Sequence, residues 1–160
     1  MENNFIQLKK DNILRIGIKD ANGVDTGEHL EFDLEDIELP LRINEAEAKH
    51  RKNKEFVRNQ FIIINKKEEK KGKFLLSWRE EEKLKVLNEF YKRETEALET
   101  FLGVGAIEKI LNGRKPYYSM YEDIGEMLEP IMPKLQVRAD DIINKVKNKY
   151  GNIQEKDVLK

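Results

Sequence analysis

Apolar and polar residues alternate in two short stretches near the start of the chain, and the period then lengthens to that of a helix. In residues 13–19, Leu14, Ile16 and Ile18 share one face while Arg15, Gly17 and Lys19 take the other. In residues 29–34, Leu30, Phe32 and Leu34 do the same. Period two with one apolar face predicts half-buried strands. Between them DANGVDTG supplies Asn22-Gly23 and Gly27, which suit turn positions of positive φ. The two stretches therefore read as a β-hairpin. A lone hairpin is marginal in water, so its apolar face needs a helix or a second copy as cover.

From Pro40 onward the pattern is helical. Residues 41–60 form a charged helix with sparse apolar positions: Leu41, Ala48, Phe56 and Val57. Residues 61–64, Phe-Ile-Ile-Ile, fit either a helix end or a short strand, because consecutive isoleucines favour β locally. KKEEKKGK at 66–73 reads as a solvated loop or a fraying helix end, with Gly72 as the break. Ser77-x-x-Glu80 is a capping box, and it opens a helix striped by Leu84, Leu87, Tyr91, Leu98, Phe101 and Leu102. Glu94 and Thr95 interrupt that stripe. Gly103 and Gly105 stop or bend the helix, and a short one follows from Ala106 to Leu111, ended by Asn112-Gly113 as a left-handed cap. Ser119-x-x-Glu122 reads as a second capping box before Ile124, Met127, Leu128 and Ile131. Pro130 and Pro133 must kink or break that run. A last helix over roughly 137–149 carries Val137, Ile142, Ile143 and Val146. The predicted fold is α+β and mostly α: an N-terminal hairpin (13–34) followed by a bundle of about four to five helices (41–149). Residues 1–150 form one domain and 151–160 a flexible tail.

Charge changes this picture more than overall composition does. Charged residues make up 38% of the 160, yet the formal net charge is only −1. Residues 1–48 hold 5 basic and 12 acidic side chains, whereas 49–75 hold 10 basic and 3 acidic. An acidic head followed by a basic segment can steer partners or favour head-to-tail association. Equally, each block can simply solvate its own face. The sequence has no cysteine, which excludes disulfides, thiolate metal sites and a cysteine nucleophile. The start MENNFIQLKK lacks the features of a signal peptide, and no apolar run approaches the roughly 20 residues of a membrane span. A cytoplasmic location is expected.

The search for chemistry finds little. His29 and His50 are the only histidines; both read as solvated surface residues without a second ligand at metal spacing. Ser77 and Ser119, the only serines, read as helix caps. Phosphate-loop and dinucleotide fingerprints are missing, and Gly103-x-Gly105 follows a helix rather than a strand. Carboxylate runs such as Glu80-Glu81-Glu82 fit exposed helix starts. No catalytic residue, metal or cofactor is expected. Basic residues near Phe56, Phe61 and Phe74 could track a phosphate backbone, but Glu68-Glu69 split the cluster and the chain is slightly acidic, so nucleic acid is a secondary reading. Tyr117, Tyr118 and Tyr121 either anchor a protein interface or pack their loop onto the neighbouring helix.

The order of parts resembles the tail assembly chaperones of long-tailed bacteriophages and prophages. The resemblance rests on a hairpin of the form I-x-I-K-D-x-x-G at 16–23, an acidic exit and two charged helices, and is strongest over 98–135. There a glycine pair precedes a short helix, a G-R-x-P turn and a helix of the D-I-x-E-x-L type. It extends in outline over 13–149, while the basic segment 49–75 has no counterpart. It implies a non-enzymatic cytoplasmic protein that binds the tape-measure protein, keeps it soluble, and helps the tail tube protein polymerise around it. It implies absence from the finished virion and a short form of a gene also read as a longer frameshifted product. On this reading Leu84, Leu87, Tyr91 and Phe101 with Tyr117, Tyr118 and Tyr121 contact the client. The hairpin face (Leu14, Ile16, Ile18, Leu30, Phe32) and the basic residues Lys49, Arg51 and Lys52 drive self-association. The alternatives are a structural head–tail or tail component of the virion, and a basic-patch nucleic-acid binder.

Overall fold

The computed structural model describes residues 4–7 and 12–151; the tail expected at 151–160 lies outside them except for Gly151. Strands β1 (Ile13–Lys19) and β2 (Asp25–Asp33) pair antiparallel, with Leu14 opposite Phe32 and Ile16 opposite Leu30. β2 begins four residues earlier than the alternation suggests. The Asp20 carboxylate explains the early turn, accepting bonds from the Asn22 and Val24 amides at 2.9 Å each. Those bonds close the chain at 20–24 and leave Asp25 free to start the second strand.

Five α-helices follow among the described residues: α1 (Glu38–Lys66), α2 (Trp78–Leu102), α3 (Ala106–Leu111), α4 (Met120–Leu128) and α5 (Met132–Tyr150). α1 runs straight through 61–64, so the local β preference of the isoleucines loses to packing. Ile64 is buried, while Ile62 and Ile63 are exposed. The reason lies in a spacing that polar residues disguise. Leu39, Ile43, Ala46, His50, Asn53, Val57, Gln60 and Ile64 recur at alternating intervals of four and three, the seam of an antiparallel coiled coil. Its mate is Leu87, Phe90, Glu94, Ala97 and Phe101 on α2. Each seam carries polar members, so neither reads as a heptad repeat by composition.

Ser77 caps α2 as expected: its hydroxyl accepts the Glu80 amide and the Glu80 carboxylate accepts the Ser77 amide, both at 3.1 Å. Ser119 does not cap α4. Its backbone sits at φ −87°, ψ 12°, away from the extended form that aims a cap inward, and its hydroxyl donates to Asp123 instead. Asn112 ends α3 in the left-handed region at φ 47°. The two prolines act as expected, since a 3₁₀ turn at Glu129–Ile131 separates α4 from α5. α5 starts five residues earlier than its apolar pattern indicates, because Pro133 falls in its first turn, where no amide donor is needed.

The main core joins Ile18, Leu30 and Phe32 of the hairpin to Leu39 and Ala46 of α1, Leu98, Phe101 and Leu102 of α2, Ile107 of α3, Met120, Ile124 and Leu128 of α4, and Leu135 of α5. All of α1's contribution lies before His50. The residues after Ala46, as far as Lys66, carry the α1–α2 pair about 30 Å beyond the core as a two-helix arm.

Candidate functional site

The hairpin does not close fully onto the helices. Between them opens a cleft of about 700 Å³. One wall is the apolar face of the sheet, from Ile16, Ile18 and Leu30. The other is built by Ile110 and Leu111 of α3 and Ile124, Met127 and Leu128 of α4. Glycine geometry holds the far wall in place. Gly103 and Gly105, at φ 99° and 82°, turn the chain sharply between α2 and α3, and the Gly105 amide donates to the Glu99 carboxylate at 3.1 Å. Tyr117 lines the cleft with its ring under the Arg114 guanidinium, 4.2 Å away. Burial, and then the nearby Asp123 carboxylate, push the Tyr117 phenol above its usual range, so it stays a neutral donor.

Polar groups sit at the rim: Lys19, Asp20, Asn22, Asn112 and Arg114. Met127 is 62% exposed although it lines the apolar wall. An unbranched thioether of that kind adapts to differently shaped apolar surfaces. Burying one Leu-sized side chain in such a cleft is worth about 1.5–3 kcal/mol. The arrangement suits the apolar stripe of a helix, with a polar margin to orient it.

The residues expected to bind partners separate. Tyr117 lines the cleft and Tyr118 is exposed beside it in sequence. Leu84 is exposed and Leu87 and Tyr91 are half-buried on the arm, away from the cleft walls. Phe101 is in the core, so it offers no contact surface. Ile16, Ile18 and Leu30 line the cleft rather than an outer face, while Phe32 is buried in the core and Leu14 packs against it. The face expected to drive self-association thus turns toward the chain's own helices, across the cleft. Lys49 bonds to Glu45 and Thr100, Arg51 pairs with Glu47, and Lys52 is exposed. Sequence reasoning missed the cleft's second wall. Its signal is Met127 and Ile110, apolar residues on short helices that cannot bury both faces.

His50 corrects a second expectation. It is buried, not solvated. Its Nδ1–H donates to Glu94 Oε2 at 2.7 Å, and Asn53 Nδ2 donates to Glu94 Oε1 at 2.7 Å, so both carboxylate oxygens are satisfied. Tyr121 stacks on the imidazole at 3.6 Å with ring planes 2° apart, and its hydroxyl donates to Glu47 at 3.1 Å. Burial, reinforced by Glu47, raises the Tyr121 phenol far above its ordinary value. Tyr121 is thereby a strut between α4 and α1 rather than a free contact residue. Neither His50 nor Glu94 lines the cleft, and the contacts they make fix helix register.

Among the described residues, no three His, Cys, Asp or Glu side chains come together in a way that could hold a metal ion, and no helix is long and apolar enough to cross a membrane. No protein-family model matches the chain, nor does any curated protein or solved structure. What the cleft can do is therefore argued from its own geometry.

Proposed function

We propose that this protein is a non-enzymatic assembly chaperone for a long helical client: a phage tail assembly chaperone that binds the tape-measure protein in the bacterial cytoplasm while the tail tube forms. The observation that supports this reading is the open apolar cleft between the hairpin and α3–α4, rimmed by polar groups and fronted by the exposed Met127. A tape-measure rod is helical with exposed apolar stripes, and such a stripe fills a cleft of this shape without chemistry. The resemblance over 98–135 covers the loop and the two short helices that form the cleft's far wall.

The test is co-expression with a phage tape-measure protein. Wild-type protein is expected to hold that client in the soluble fraction and to co-purify with it. Met127→Lys, at an exposed position, is expected to leave the circular dichroism spectrum unchanged and to weaken client recovery at least about tenfold. Equal client solubility with and without the protein would remove the reading. Stoichiometric presence in purified particles would assign a structural virion role instead.

A further inference from the structure

The distal end of the arm is a built feature. Gly72 is wedged against the following turn, so a Cβ there would lie 2.4 Å from the Leu76 carbonyl oxygen. A bridge between Lys73 and Leu76 closes the turn. Arg79 pins the other side, donating to the Lys67 carbonyl at 2.7 Å and pairing with Glu69 at 3.2 Å. The turn holds Phe74 at φ 44°, in the left-handed region that a bulky residue rarely enters. Phe74 is fully exposed and Leu75 is 80% exposed. A strained backbone that holds two large apolar side chains in water points to a function for them. Lys66, Lys67, Lys70, Lys71 and Lys73 precede this knob in sequence, outnumbering Glu68 and Glu69 among them.

At the other end of α1 lies a second, smaller groove of about 200 Å³, distinct from the client cleft. Ile37 and Leu41 from the start of α1 and Leu135, Ala139, Ile142 and Ile143 from α5 line it. Ile37 and Leu41 are each 67% exposed. Asp36 also lines the groove and, like Glu38, pairs with Arg42, at 2.6 and 3.5 Å; Asp140 and Asp141 adjoin lining residues in sequence, as do Lys134 and Arg138. Knob and groove sit at opposite ends of a 29-residue helix, about 40 Å apart, so they cannot meet within one chain.

We propose that the Phe74–Leu75 knob of one copy docks in the α1–α5 groove of a second copy, its lysines against the acidic margin. The occupant is a second copy because one chain carries both complementary halves, apolar knob to apolar groove and lysine collar to the carboxylates of Asp140 and Asp141, which do not pair with Arg42. The contact is heterologous, so each copy keeps one free knob and one free groove, and repetition gives an open array. The small apolar area makes each contact weak and concentration-dependent. This inference is independent of the client reading, since its test reads assembly alone.

The test is sedimentation velocity of the full chain over a range of concentrations, at about 50 mM and about 500 mM salt. Wild type is expected to form oligomers that grow with concentration and dissolve in high salt. Phe74→Ser, which removes the knob, and Leu41→Lys, which repels the lysine collar, are each expected to lower the association constant at least about tenfold. Ile143→Lys repeats the second test from α5 if Leu41→Lys fails to fold. An equimolar mixture of Phe74→Ser with Leu41→Lys retains one good knob and one good groove, and should give dimers and nothing larger. A wild type that remains monomeric, assembly untouched by Phe74→Ser, or a mixture without dimers would overturn the proposal. Salt-sensitive pelleting of the monomer with phosphatidylserine vesicles would also overturn it and give the knob to a lipid surface.

Discussion

Replacing Glu94 with alanine is expected to destabilise the fold more than any other single change in the arm, by about 3–5 kcal/mol in urea unfolding. Glu94 is 1% exposed, and its two oxygens hold His50 and Asn53, both buried. Its loss leaves an imidazole N–H and an amide N–H without acceptors in a site that water does not reach, and the full desolvation cost of each appears. Glu94→Gln should cost less, because one amide oxygen still accepts one of the two donors. A different outcome is expected when His50, Asn53 and Glu94 are all changed to leucine: most of the stability should return, since a buried ionic group is worth little against well-packed apolar side chains. Equal losses for Glu94→Ala and the triple variant would show that the bonds themselves carry the stability and that apolar packing cannot replace them.

The second large effect is expected at Leu98→Ala, at about 3 kcal/mol. Leu98 is 1% exposed and lies in the core shared by the hairpin, α1 and α4. The hairpin is two strands only and cannot stand alone, so a cavity there loosens the cover of its apolar face. Thermal unfolding should report a fall of about 2–4 °C for each kcal/mol lost. Protection of the β1 and β2 amides against hydrogen exchange should fall with it. Unchanged exchange in the strands would mean that the hairpin holds without the helices.

How far the sequence carries the reader differs from element to element. The hairpin, the Ser77 cap, the Asn112 stop and the proline break were legible, because each depends on local backbone chemistry. The course of α1 was not. Its seam places His50, Asn53 and Gln60 where a heptad repeat would have aliphatic residues, so the packed face looks like one more polar surface. Glu94 looked like an interruption of the α2 stripe for the same reason, yet it sits at the correct interval and is buried. Polar residues that satisfy one another across a helix pair become visible only when the two helices are aligned. Ser119 was misread because a capping box requires an extended backbone, and residue types alone do not specify one. The apolar cleft was half legible: its sheet wall showed in the alternation, and its helical wall depends on how two short helices turn at Gly105 and Asn112.

The break at Pro130 and Pro133 has a mechanical consequence. Beyond it, α5 gives only Leu135 to the interior, while Val137, Ile143, Val146 and Tyr150 meet solvent. Arg138 ties the first turns of α5 to Glu35, so about three turns beyond it overhang, and their amides should lose protection well before those of α2. Whatever seats beside α1 and α5 would also brace that overhanging rod, so its stiffness becomes a gauge of occupancy.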